Sequence, residues 1–125
     1  MDKEIKRLGD AELEIMLAVW EAAEPVQSGY VQQRLRRTWP LPAVVTAMNR
    51  LVDKGFLSRE KEGRVNRYRP LIAKEEYKAA EGRSVLHRLY GDSVAGLVTA
   101  LYDGKAIGEE DLQELRAFLD GLEGK

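Results

Sequence analysis

The chain has 125 residues, 44% of them hydrophobic and 33% charged, with 20 Lys and Arg against 21 Asp and Glu and a net charge of −1. That size and mixture describe a globular chain of one ordinary domain or two very small ones, and exclude a disordered one. The absence of Cys excludes disulfides, thiolate metal sites and Cys nucleophiles, and the single His, His87, excludes a multi-His metal cage within one chain.

A pI of about 5.9 gives no whole-protein signal for nucleic acid. The charge is unevenly spread, however. Residues 34–70 carry 10 basic and 3 acidic side chains, a local +7, whereas residues 71–125 carry 7 and 11, a local −4. A basic stripe next to an acidic segment suggests a polyanion-binding unit joined to something else, although a solvated surface with uneven charge would look the same. No apolar run approaches the ~18–20 residues needed to span a membrane. The opening MDKEIKRLGDAELE is charged and has no apolar signal-peptide core. The expected location is cytoplasmic, with no membrane partner.

In chain order, Asp10 is placed to cap a helix from Ala11, with Leu13, Met16, Val19, Trp20 and Ala23 as its apolar face. Glu24-Pro25 ends it, because a residue before Pro avoids the helical region. Ser28 then caps a short helix to about Arg37, with Val31 and Leu35 inward. After the stiff Trp39-Pro40-Leu41-Pro42 connection, a third helix runs from about Pro42 to Lys54. Val44, Met48, Leu51 and Val52 form its buried face, and Gly55 stops it. Thr46, Asn49, Arg50 and Asp53 fall on the opposite face, with Pro42 and Ala43 at the exposed start. A hairpin follows, with strands 57–61 and 65–69 around Glu62-Gly63 and a basic tip carrying Lys61, Arg64 and Arg67.

From Lys74 onward the pattern is helical, over about 74–90, 93–102 and 109–122. In the last of these, Leu112, Leu115, Leu119 and Leu122 follow a 3-4-3 spacing with Phe118 beside it. Glu109, Glu110 and Asp111 favour that helix's dipole rather than forming an acid/base pair. His87 reads as an ordinary surface or interface residue, and Trp20 and Trp39 read as core.

Three helices followed by a basic hairpin is the order of a winged helix-turn-helix. The fold class expected is mainly α with a small β-hairpin: a winged helix-turn-helix DNA-binding domain over 1–72, then a helical dimerisation domain over 73–125. In that arrangement the third helix reads base edges in the major groove while the hairpin reaches flanking phosphates. The expected DNA-binding set is Pro42, Ala43, Thr46, Asn49, Arg50, Lys54, Arg59, Lys61, Arg64 and Arg67. Changes at Thr46 or Asn49 are expected to alter sequence preference, and loss of Arg64 to weaken all sequences alike. Alternatives remain at single residues: Arg50 could pair with Asp53, Thr46 could bond a local carbonyl, and Tyr68 could pack in the wing or touch phosphate.

About 50 residues of short helices cannot enclose a good core alone. Val94, Leu97, Val98, Leu101, Leu112, Leu115, Phe118, Leu119 and Leu122 are therefore expected to form a homodimer interface; folding back onto the first domain is the other solution. No catalytic group, metal site or cofactor is expected. A small hydrolase lacks a Cys, a His partner for Ser and a Gly-rich phosphate loop. A winged-helix module serving protein contacts alone is the alternative function.

The residues also carry a resemblance. LGDAELEIMLAVW, the spine Thr46, Arg50, Leu51, Lys54, Gly55, Leu57, and the Arg67–Pro70 end of the hairpin resemble the BlaI/MecI family of penicillinase repressors. LVTALYDGKAIGEEDLQELRAFLDGL resembles that family's C-terminal dimerisation helices. The resemblance implies a dimeric transcriptional repressor of palindromic operators, released by cleavage that a membrane-bound sensor metalloprotease initiates. It implies a proteolytic site at Ala100 and Leu101, where the family has Asn and Phe. Pro42 and Ala43 stand where relatives often carry hydroxyl or basic residues.

Overall fold

A computed structural model describes residues 5–124; the first four residues of the charged opening lie outside them. In chain order the elements are α1 (Asp10–Glu21), α2 (Ser28–Arg34), α3 (Leu41–Asp53), β1 (Leu57–Glu62), β2 (Val65–Pro70), α4 (Lys74–Tyr90), α5 (Val94–Asp103) and α6 (Glu109–Glu123). The mainly helical class with one hairpin is as expected. The chain divides into two compact units, 1–81 and 82–125. That division falls inside α4, because Tyr77 in its first turns is buried in the first unit's core.

In the first unit α1, α2 and α3 pack around Ile15, Met16, Val19, Val31, Val44, Met48 and Leu51, each at most 1% exposed. Phe56, just before the hairpin, and Leu57 and Tyr68 within it close this core. The α1 face differs from its expected form: Ile15 and Ala18 are buried and Ala23 is exposed. The helix packs against α2, α3 and β2, and its Trp20 against Tyr77, so its apolar stripe is wider than one 3.6-period line.

Two helix starts also shift. The cap of α1 is the extended Gly9, whose N–H donates to the Glu12 carboxylate at 3.3 Å, rather than Asp10. The cap of α2 is Gln27, not Ser28. The second helix stops at Arg34 rather than Arg37. Leu35 is extended, and the Glu14 carboxylate on α1 draws the next residues away, accepting from the Arg36 N–H at 3.0 Å and from the Arg37 guanidinium at 2.6 and 2.9 Å.

The third helix ends as expected, with Gly55 at φ +85°, a left-handed conformation that suits glycine. The hairpin is antiparallel and in continuous register from Leu57↔Pro70 to Glu62↔Val65, turning through Gly63 (φ +67°) and Arg64. Tyr68 also pairs with Val26, its N–H donating at 2.8 Å and its C=O accepting at 2.9 Å. The hairpin is thus stitched to the α1–α2 connection. Tyr77 stacks near Trp20 and Phe56, both at 5.9 Å between ring centroids, and its hydroxyl accepts from the Leu8 N–H at 2.9 Å. Trp20 Nε1 donates to the Ile72 carbonyl at 2.8 Å. Both tryptophans pack against the core.

In the second unit, Ser93 caps α5 by accepting from the Gly96 N–H at 2.9 Å, and the Asp111 carboxylate accepts from the Gly108 N–H at 2.8 Å at the start of α6. No described residue of this unit is buried. No helix among the described residues is long and apolar enough to cross a membrane.

Candidate nucleic-acid interface

The amphipathicity of α3 places its side chains. With Val44, Met48 and Leu51 locked in the core, Pro42, Ala43, Thr46 and Arg50 are exposed on the other side. Thr46 makes no side-chain hydrogen bond among the described residues, so the local-carbonyl alternative is not adopted. Arg50 makes no ion pair with Asp53 or any other described carboxylate.

Asn49 is different. It is half-buried, and its Oδ1 accepts from Arg59 Nη1 at 2.7 Å and from the Tyr68 hydroxyl at 3.1 Å. Tyr68 is therefore a wing-packing residue whose hydroxyl reaches α3, and Arg59 is tied to the same atom.

The register sorts the wing's charges by face, because cross-strand partners point the same way. Arg59↔Tyr68 and Lys61↔Asn66 share the face that meets Asn49 on α3. That face holds two cations and no carboxylate. The opposite face holds Glu60, Glu62, Arg67 and Arg69, which neutralise one another: Arg67 lies 3.0 Å from Glu62 and Arg69 lies 3.2 Å from Glu60. Arg64 occupies the turn, and neither it nor Lys61 pairs with a described carboxylate.

The ten expected DNA-binding residues therefore separate. Pro42, Ala43, Thr46, Arg50, Lys61 and Arg64 are exposed and uncommitted, and Arg59 is exposed but oriented by Asn49. Arg67 is on the far side of the wing. Lys54 donates to the Glu12 carboxylate at 2.6 Å and so joins the end of α3 to the start of α1. Burial opposes ionisation of Glu12, but the Lys54 ammonium and the Gly9 N–H outweigh it and hold the carboxyl below its usual range. The Arg36 N–H and the Arg37 guanidinium do the same for Glu14. Sequence reasoning missed these two acids as anchors. The spacing of Glu12 three residues after a helix-starting Gly9 was a usable signal for one of them.

The candidate interface residues of the second unit are apolar and accessible. Val94 and Phe118 are 61% exposed, Leu122 52% and Leu119 47%; Leu115 is also exposed, while Leu97, Val98, Leu101 and Leu112 are half-buried. Ala100 and Leu101 lie in the last turns of α5, where the Ala100 carbonyl accepts from the Gly104 N–H at 3.0 Å. No group of three or more His, Cys, Asp or Glu able to hold a metal occurs among the described residues.

A three-helix core with a two-stranded wing set against its third helix defines the winged helix-turn-helix class. The solution structure of the DNA-binding domain of the repressor BlaI matches with a TM-score of 0.51 and 35% identity, covering 62% of this chain and 94% of that one. The monomeric form of Bacillus licheniformis BlaI in complex with the blaP half-operator matches with a TM-score of 0.50 over the same shares. The penicillinase repressor family model covers residues 8–121. The Bacillus licheniformis penicillinase repressor is 31% identical over 120 residues, 94% of this chain and 93% of that protein. The methicillin resistance regulatory protein MecI of Mammaliicoccus sciuri is 22% identical over 121 residues, 96% and 98% of the two chains. This chain belongs to the penicillinase repressor family.

Proposed function

We propose that the chain is a cytoplasmic, dimeric, sequence-specific repressor that binds palindromic operator DNA. The observation that carries this reading is the sorting of charge on the wing. The face turned to α3 has Arg59 and Lys61 with no acid, whereas the other face cancels its own charge. Random surface charge has no reason to separate by strand face. A wing that lies along a phosphate backbone beside an inserted helix gains from it, because unpaired cations on that face are free to neutralise phosphates.

In this reading the start and exposed side of α3 enter the major groove. Thr46 and Arg50 supply hydrogen bonds to bases or phosphates, and Pro42 and Ala43 supply close apolar contact, as to a thymine methyl. Arg59, Lys61 and Arg64 neutralise phosphates. Lys54 and Arg67 contribute less, since each already faces a carboxylate.

Two copies join through Val94, Leu97, Val98, Leu101, Leu112, Leu115, Phe118, Leu119 and Leu122; none of these is buried in a lone chain, and five are exposed, which supports a partner of the same shape. The two recognition helices then meet half-sites about one or two helical turns apart. Release by a sensor-linked protease at Ala100-Leu101 requires the last turns of α5 to unwind first, because that bond lies within a helix. An electrophoretic shift with the region upstream of the chain's own coding sequence tests the reading. A retarded complex at low salt is expected, and none there contradicts it.

A further inference from the structure

We propose that Asn49 is a positioning residue: its carboxamide oxygen joins the recognition helix to the wing and aims Arg59 at the DNA backbone, so that Asn49 governs a phosphate contact rather than a base choice. The inference rests on the DNA-binding reading above, and it reassigns a residue whose place on α3 alone suggests base readout.

The two hydrogen bonds of Asn49 identify which end of the amide faces the wing. Arg carries only donors, so the group 2.7 Å from Arg59 Nη1 is the oxygen, and the Tyr68 hydroxyl at 3.1 Å takes its second acceptor site. Tyr68 is a fixed anchor. It is 1% exposed, and its backbone is bonded in both directions to Val26. Arg59 is the opposite case, an exposed side chain with many rotamers, flanked on β1 by Glu60 only across the pleat. Asn49 therefore transmits the rigidity of Tyr68 to Arg59. Much of the rotamer freedom that a phosphate contact would remove is already lost in the free protein.

The chemistry of the acceptor matters as much as its place. A carboxylate at this position would hold the guanidinium equally well but would cancel its charge. An amide holds it and leaves the full positive charge, with the remaining N–H donors of the planar fork, for a phosphate. The other side of the same wing shows the contrast, where Arg67 and Arg69 are held by Glu62 and Glu60.

The test is a double-mutant cycle. Fluorescence anisotropy on a fragment from the region upstream of the coding sequence, over a range of salt, compares the wild type with Asn49→Ala, Arg59→Ala and the double variant. Single base-pair substitutions in the fragment report base preference, and thermal melts check folding. Each single variant is expected to weaken binding about tenfold, the scale of one charge-assisted hydrogen bond. Each is also expected to lower the slope of log K against log salt by up to about 0.9, with the double variant no weaker than Arg59→Ala alone and base preference unchanged. If Asn49→Ala does not fold, Tyr68→Phe keeps the ring, removes the second anchor and is expected to give a partial loss of the same kind. Additive losses, or a changed base preference with an unchanged salt slope, overturn the positioning role and leave DNA binding standing. Absence of wild-type binding at low salt overturns both.

Discussion

At the tip of the wing, Arg64 faces solvent with no described carboxylate to offset it. Its replacement by Ala is expected to weaken specific and non-specific DNA alike and to reduce the salt slope by about 0.9, the loss of one phosphate contact. Arg69, on the other face and 3.2 Å from Glu60, is the control: Arg69→Ala should leave the affinity within about twofold. Anisotropy titrations with two DNA sequences at several salt concentrations separate these outcomes. A helical projection of the sequence alone places Thr46 and Arg50 correctly on the exposed side of α3. It does not distinguish Asn49 from them, because the difference lies in what the wing brings to Asn49 from 10 and 19 residues away. Lys54 was similarly opaque, since its partner Glu12 lies 42 residues back. Inside the core, Tyr77→Phe leaves the Leu8 N–H without its acceptor. It is expected to lower the unfolding free energy by about 1–3 kcal/mol in urea titrations.

Among the elements, α1 does more than present an apolar face. Through Glu12 it holds the end of α3, and through Glu14 it holds the segment that connects α2 to α3. Both carboxyls sit below the ordinary value of 4.5 in the folded chain. The stability they contribute is therefore present above that value and lost as pH falls through the lower, folded one. Thermal melts from pH 7 to pH 3 should show a melting temperature that falls on acidification below about 4.5. The Glu12→Gln, Glu14→Gln double variant should be less stable at pH 7 and show a shallower fall. The helices of the chain were legible to within a few residues, because periodicity and the punctuation by Pro25, Gly55 and Gly108 are local signals. The early end of α2 was not. Arg36 and Arg37 leave the helix for a carboxylate that only the tertiary fold places beside them. The hairpin's existence was legible from its turn, whereas the sorting of its charges by face needed the exact register.

Over the whole molecule, a net charge of −1 conceals a local +7 on residues 34–70 and −4 beyond residue 70. The first unit has a packed core, while the second, by itself, buries no described residue and leaves Phe118, Leu119 and Leu122 accessible. Fully burying each such side chain is worth roughly 1.5–3 kcal/mol, so a self-complementary partner is a large gain. Leu119→Asp is expected to shift the chain to monomer in sedimentation velocity while leaving the winged-helix unit folded. Its affinity should then drop to that of a single half-site. The most direct test of dimeric operator binding is an anisotropy titration of the wild-type chain against a palindromic operator duplex and against one isolated half of it, at increasing salt. Dimeric operator binding predicts two chains per palindrome, much tighter binding to the palindrome than to the half-site, and a linear fall of log K with log salt. Equal affinity for an unrelated duplex, or no binding at low salt, would contradict it.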